Sequence, residues 1–206
     1  MATTNRYKIA ELKRILSDSG IQVMALAESD STEKIENGSS FAENALLKAR
    51  YYQRLQESPT IADDSGLEVK VLGGAPGLHS ARYAGPTATD EDRIARLLEE
   101  MKDVDDSQRW ARFVCAAAMV WEGGEKVFLA EVQGSVLRKP RGENGFGFDP
   151  IFFYQPLGKT FAELTVSEKA TVSHRGQAFR ALVAWLTESG VLDTPRSNDR
   201  IVITAD

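Results

Sequence analysis

Asp63 and Asp64 stand together at the end of Thr60-Ile61-Ala62, a short run with the composition of a buried strand. Ionised acids in such a place are costly unless a cation or hydrogen bonds compensate them. A hard divalent cation is the natural compensator, because magnesium takes one or two carboxylates and fills its other positions with water and substrate phosphates. Glu36, on the polar stretch before the next helical pattern, offers a further oxygen ligand. The tripeptide Asp63-Asp64-Ser65 also suits a solvated turn. Three further segments carry convergent chemistry. Thr3-Thr4-Asn5-Arg6-Tyr7-Lys8 opens a helical pattern, where free backbone N–H groups and the helix dipole favour an anion and Lys8 adds a point charge. In Gly142-Glu143-Asn144-Gly145-Phe146-Gly147-Phe148-Asp149-Pro150 the glycines let a planar group approach Phe146 and Phe148 closely, although a hairpin loop with both rings in the core reads equally well. Glu168-Lys169 and Ser173-His174-Arg175 offer fixed donors for a phosphate or a carbonyl, with His174 also suited to begin a helix.

Other chemistries fail on spacing. Gly-x-x-x-x-Gly-Lys-Ser/Thr does not occur, so the phosphate-binding candidate is not a P-loop. His79 and His174 are the two histidines, and neither has a metal-ligand partner at zinc-site spacing. Gly-x-Ser-x-Gly is absent too. Asp63 and Asp64 do not suit a glycosidase pair, because neighbours on a strand point to opposite faces. Cys115 lies in the apolar run Phe113-Val114-Cys115-Ala116 and reads as a small buried hydrophobe.

These residues need elements to position them. Ile9, Leu12, Ile15 and Leu16 form one helical stripe with Gly20 as its cap, and Ile21 to Leu26 reads as a strand. Ser40 and Glu43 have capping-box spacing for a second helix to about Gln56, which puts Asn44 and Lys48 on one face. The two acids end a short strand, and Leu67, Val69 and Val71 alternate as another before the turn Gly73-Gly74-Ala75-Pro76-Gly77. A third helix starts at Thr89 and buries Ile94, Leu97, Leu98 and Met101. Arg112 to Val120 and Val127 to Val136 flank Glu122-Gly123-Gly124-Glu125 as a hairpin, and Ile151 to Tyr154 is a further strand. The last long helix follows Ser173, with Ala178, Ala181, Leu182, Trp185 and Leu186 inward. Alternating elements with short turns predict an α/β sheet under helical cover.

The chain has 206 residues, enough for one sizeable domain and cramped for two cores, so 1–206 reads as a single domain. Hydrophobic residues at 42% and charged residues at 27% argue for a globular fold. The N-terminal residues lack the apolar core of a signal peptide, and no stretch approaches a membrane span, so the expected location is cytoplasmic with no membrane partner. A net charge of −5 disfavours a nucleic-acid partner, which rewards a broad basic face, but leaves room for a small anion held by a few local cations.

Taken together, the sequence resembles the inosine triphosphate pyrophosphatase, or Ham1-like, family. Five blocks carry the resemblance, in order, over nearly the whole chain: Thr3-x-Asn5-x-x-Lys8, Phe41-x-Glu43-Asn44-Ala45-x-x-Lys48-Ala49, Ala62-Asp63-Asp64-Ser65-Gly66-Leu67 continuing to Gly73-Gly74-x-Pro76-Gly77-x-x-Ser80-Ala81-Arg82-Tyr83, Gly145-Phe146-Gly147-Phe148-Asp149-Pro150, and Glu168-Lys169-x-x-x-Ser173-His174-Arg175.

The resemblance implies a long mixed central sheet flanked by helices, two lobes with an active-site cleft between them, a homodimer, and Mg2+-dependent hydrolysis of ITP, dITP or XTP to the monophosphate and pyrophosphate. It places phosphates on the first loop, Thr3, Thr4, Asn5, Arg6, Tyr7 and Lys8, with Lys48 beside it. Glu36 and Asp64 would hold magnesium, with Asp64 also the base. Ser65 would contact the nucleotide and Phe146 would stack on its base. Gly147 and Phe148 share that loop, and Asp149, Lys169, His174 and Arg175 would complete recognition. Two positions depart from the family pattern: Thr4 where glycine is usual, and Phe148 where tyrosine or tryptophan is usual. Family members also carry an apolar strand before the first loop, whereas only Met1 and Ala2 precede Thr3 here. Ile201-Val202-Ile203-Thr204 matches that strand in composition and suits pairing with a sheet edge, in its own subunit or a partner, although a disordered terminus reads equally well.

Overall fold

The computed structural model describes residues 6–17, 35–191 and 202–205. The expected cap at Gly20 and strand Ile21 to Leu26 lie outside the described residues, as do Thr3, Thr4 and Asn5. Five α-helices are described: α1 Arg6–Ile15, α2 Phe41–Gln56, α3 Asp90–Glu100, α4 Val166–Val172 and α5 His174–Ser189. The strands are β1 Thr60–Val69, β2 Trp110–Trp121, β3 Gly124–Val136, β4 Phe152–Tyr154, β5 Lys159–Thr160 and β6 Val202–Ala205. They form one mixed sheet in the order β5-β4-β3-β2-β1-β6. β3 with β4 and β4 with β5 are antiparallel, whereas β6 runs parallel to β1 with Thr60 opposite Val202 and Asp63 opposite Ala205. The β-branched C-terminal run thus pairs within its own chain, on the strand that carries the two acids.

Local chemistry sets the helix starts. Ser40 caps α2 by accepting the Glu43 N–H, and a cap of this kind is worth about 1 kcal/mol. The Glu43 carboxylate, however, reaches the N–H and hydroxyl of Ser39 rather than closing the box on Ser40. Complete capping boxes open α3 at Thr89 and Asp92 and α4 at Thr165 and Glu168. β1 departs from the sequence expectation. It is one continuous strand, so the acids sit in its middle, and Val71 falls in an exposed 3-10 turn instead. The absence of a breaking residue between Thr60 and Val69 allows this, since Gly66 is tolerated within a strand.

The chain divides into two compact units, residues 1–64, 115–130 and 174–206, and residues 65–114 and 131–173. In the first, Leu12 and Leu16 of α1, Ile61, Cys115, Ala117 and Met119 of the strands, and Ala178, Phe179, Leu182 and Leu186 of α5 form the core. Ala181, expected inward, is exposed, and Phe179 is buried in its stead, which rotates the apolar stripe of α5 toward Phe179. In the second, Leu67, Val69, Ile94, Leu97, Met101, Phe113, Phe152 and Phe161 pack together, with the Phe113 and Phe161 rings stacked at 5.7 Å.

Candidate active site

The first unit gathers two carboxylates around one ammonium. Asn44 and Lys48 lie one turn apart on the inner face of α2 and are 2% and 1% exposed. Lys48 Nζ lies 2.7 Å from Glu36 Oε1 and 3.7 Å from Asp64 Oδ1, so Glu36, from the stretch before α2, and Asp64, from β1, converge on one positive charge. Asn44 Nδ2 donates to Asp64 Oδ2 at 3.0 Å, while Asn44 Oδ1 accepts the Gly38 N–H at 2.8 Å. The charge balance of Glu36, Lys48 and Asp64 is two negative to one positive, which suits an added cation. Among the described residues no group of three or more His, Cys, Asp and Glu could hold a metal. Two convergent carboxylates nevertheless fit magnesium, which is held by few protein oxygens and completes its shell from water and phosphate.

Asp63, the neighbour of Asp64, turns the other way, as strand alternation requires. It is fully buried and its Oδ2 accepts from Arg175 Nε at 3.1 Å, with Cys115 Sγ 4.0 Å away. Arg175 Nη1 also donates to Glu11 Oε2 of α1 at 2.7 Å. Burial works against the Arg175 charge, but the Asp63 and Glu11 carboxylates more than offset it and hold the guanidinium's pKa above its ordinary value. The sequence motif marked Arg175 for recognition. In the structure its guanidinium ties α5 to α1 and β1, and His174 beside it is also buried. Arg6, Tyr7 and Lys8 form the first turn of α1.

The second unit builds a different arrangement from the Gly145 to Pro150 loop and α4. Asp149, 2% exposed, accepts at Oδ2 from the Phe146 N–H at 2.9 Å and from Lys169 Nζ at 2.6 Å. Lys169 Nζ also lies 4.6 Å from the centre of the half-buried Phe146 ring. Gly145 has φ +77, and a Cβ there would come within 2.2 Å of Asp149 Oδ2, so this tight turn requires glycine. The Gly147 N–H is taken by Asp90 Oδ2 of α3 at 2.6 Å. Phe148, in contrast, is 3% exposed and packs edge-on to Tyr83 at 6.5 Å, which makes it a core residue. Of the two rings in this loop, then, one is accessible and the other anchors the turn. Ser65 is half-buried on β1.

Three contributors escaped the sequence reading. The sequence puts Asn44 on one helix face with Lys48 but gives it no role, and it does not single out Glu11 or Asp90. No local signal pairs Asp90 with Gly147, 57 residues away, or Glu11 with Arg175, 164 residues away.

A mixed α/β fold that carries paired acids with a buried lysine in one unit, and an aromatic, lysine and acid cluster in the other, has the parts of a nucleotide-handling enzyme. The Ham1 family model matches residues 1–185, and the chain belongs to that family. It is 47% identical over 186 residues to the dITP/XTP pyrophosphatase of Escherichia coli O157:H7, covering 89% of this chain and 94% of the relative. The dITP/XTP pyrophosphatase of Thermus thermophilus is 46% identical over 184 residues, covering 89% and 88% respectively. Among solved structures, a HAM1 protein from Coxiella burnetii superposes with a TM-score of 0.78 at 40% identity, over 90% of this chain and 96% of that one. Among the described residues no helix is long and apolar enough to cross a membrane.

Proposed function

We propose that the chain hydrolyses ITP, dITP and XTP to the monophosphate and pyrophosphate. The observation that carries this reading is the convergence of Glu36 and Asp64 on Lys48, in a member of a family whose relatives are named for that activity. Glu36 and Asp64 would hold Mg2+, which supplies Lewis-acid polarisation and neutralises charge on phosphoryl oxygens. Asp64, its Oδ2 held by Asn44, orients the attacking water and accepts its proton. Lys48 and Lys8, with the N–H groups of Thr3, Thr4, Asn5, Arg6 and Tyr7, stabilise the negative charge that builds as water attacks the α-phosphorus.

The second unit would handle the base. Phe146 stacks on it, Gly147 and Phe148 set the loop, and Lys169, fixed by Asp149, donates to the carbonyl of hypoxanthine or xanthine. Ser65 contacts the nucleotide, and His174, at the start of α5 in the first unit, completes recognition beside Arg175, whose guanidinium is engaged by Asp63 and Glu11. Lysine can only donate, so adenine, which presents an amino group in place of that carbonyl, leaves donor facing donor. A panel of nucleotides assayed for pyrophosphate release tests the reading. ITP and XTP should give kcat/KM at least about 100-fold above ATP, with activity lost on magnesium removal. Equal turnover of ATP would overturn it.

A further inference from the structure

The buried amide of Asn44 joins the two acids of the first unit. Its Oδ1 accepts the N–H of Gly38, two residues after Glu36, at 2.8 Å, and its Nδ2 donates to Asp64 Oδ2 at 3.0 Å. A backbone N–H can only donate and a carboxylate can only accept, so the amide has one satisfactory orientation and a flip would break both bonds. The contact is close. A Cβ at Gly38 would lie 2.8 Å from Asn44 Oδ1 and from Glu43 Cγ, so the Glu36 stretch reaches the amide only because position 38 has no side chain. Lys48, one turn on along α2, then meets Glu36 at 2.7 Å and Asp64 at 3.7 Å.

We infer that Asn44 is a positioning residue for the proposed metal site: it clasps the Glu36 stretch to β1, sets the gap between the Glu36 and Asp64 carboxylates, and directs Asp64 Oδ1 toward Lys48. The inference rests on the reading of Glu36 and Asp64 as metal ligands. An amide suits this place better than any ionisable group of its size. It satisfies a buried donor and a carboxylate together without adding a charge to a site that already holds two acids.

The experiment is a double-mutant cycle on the full chain, read by electron paramagnetic resonance of free Mn2+ without nucleotide. Asn44→Ala should weaken Mn2+ binding about tenfold in the wild-type background, the lower end for loss of a group that orients a metal ligand. In the Asp64→Ala background the same change should cost less than about twofold, because there is no Asp64 carboxylate left to orient. An equal loss in both backgrounds, or none in wild type, overturns the inference while leaving the metal reading intact. If Asp64→Ala by itself leaves Mn2+ binding unchanged, the metal reading fails and takes the inference with it. Asn44→Asp guards against a variant that does not fold, since it keeps the acceptor for Gly38 and the volume while presenting a second carboxylate to Asp64. It should retain the wild-type circular dichroism spectrum and KM for ITP within about threefold but lose at least about tenfold in kcat. A wild-type kcat in the folded variant would overturn the role.

Discussion

The two units each hold a short lysine–carboxylate contact, Lys48 with Glu36 at 2.7 Å and Lys169 with Asp149 at 2.6 Å, yet the surroundings of the two contacts differ. In the first unit one ammonium meets two carboxylates, so the three groups together are anionic and suit a cation. In the second, one ammonium meets one carboxylate beside an aromatic face, a pair without net charge that suits the proposed uncharged base. On the proposed reading, the first pair would belong to a metal site and the second to a base site. The contrast recurs within β1. Asp64 faces the lysine, while Asp63, one residue earlier, is committed to Arg175 and to the packing of α5.

If the contrast is correct, substitutions in the two units should have separable effects. The largest is expected for Asp64→Asn, which removes charge at nearly constant volume and should lower turnover at least about 10³-fold while the circular dichroism spectrum is kept. Near wild-type rates would exclude Asp64 as base or essential ligand. Arg175→Met tests the other acid: it strands Asp63 and Glu11 in the core and should cost about 3–5 kcal/mol of stability by urea denaturation. A loss under about 1 kcal/mol would show that the acids are hydrated or readily protonated. Phe146→Ala should weaken nucleotide binding by about 1–3 kcal/mol in calorimetry and leave Mn2+ affinity untouched. A change in metal affinity there would dissolve the distinction between the units.

The smallest effect concerns acid. Asp92, Glu163 and Glu168, all in the second unit, have carboxyl pKa values lowered chiefly because they accept the backbone N–H groups of Thr89, Thr160 and Thr165. A group with a depressed folded pKa stabilises above its unfolded value, about 3.9 for Asp and 4.3 for Glu, and that stabilisation is lost as pH falls through the lower folded value. Hydrogen exchange of α3 and α4 should therefore quicken below about pH 4, and Asp92→Asn or Glu168→Gln should reduce that dependence. Exchange in these helices that is independent of pH, after correction for the intrinsic rate, would remove the caps from the account.

How much of this was legible in the sequence depended on the range of the interaction involved. The helix starts at Ser40 and Thr89 follow from contacts within three or four residues, and hydrophobic spacing places Leu97, Leu182 and Leu186 in the core; α4, capped at Thr165, escaped the reading although its capping box is equally local. Strand alternation likewise separates Asp63 from Asp64 before any coordinates are known. The β-branched composition of the C-terminal run announced a strand, but composition cannot choose a partner, and pairing with β1 is a tertiary outcome. Ala181 was misplaced because a stripe in the sequence gives a helix an apolar side without fixing its rotation to within one residue.

The sequence by itself determined the chemical types present: two adjacent acids, a third upstream, lysines at helical spacing and an aromatic loop rich in glycine. Those choices are local, since residue identity and short-range periodicity suffice to state them. Only the tertiary structure decided their employment. It buried Phe148 and left Phe146 accessible, gave Gly147 to Asp90, held Arg175 between Glu11 and Asp63, and used Asn44 to join two segments of which one is 20 residues away. Each of these depends on burial, which raises the cost of an unmatched charge or hydrogen bond and thereby selects one partner among many. That selection operates between residues far apart in the chain, where the order of the amino acids carries no local sign of it.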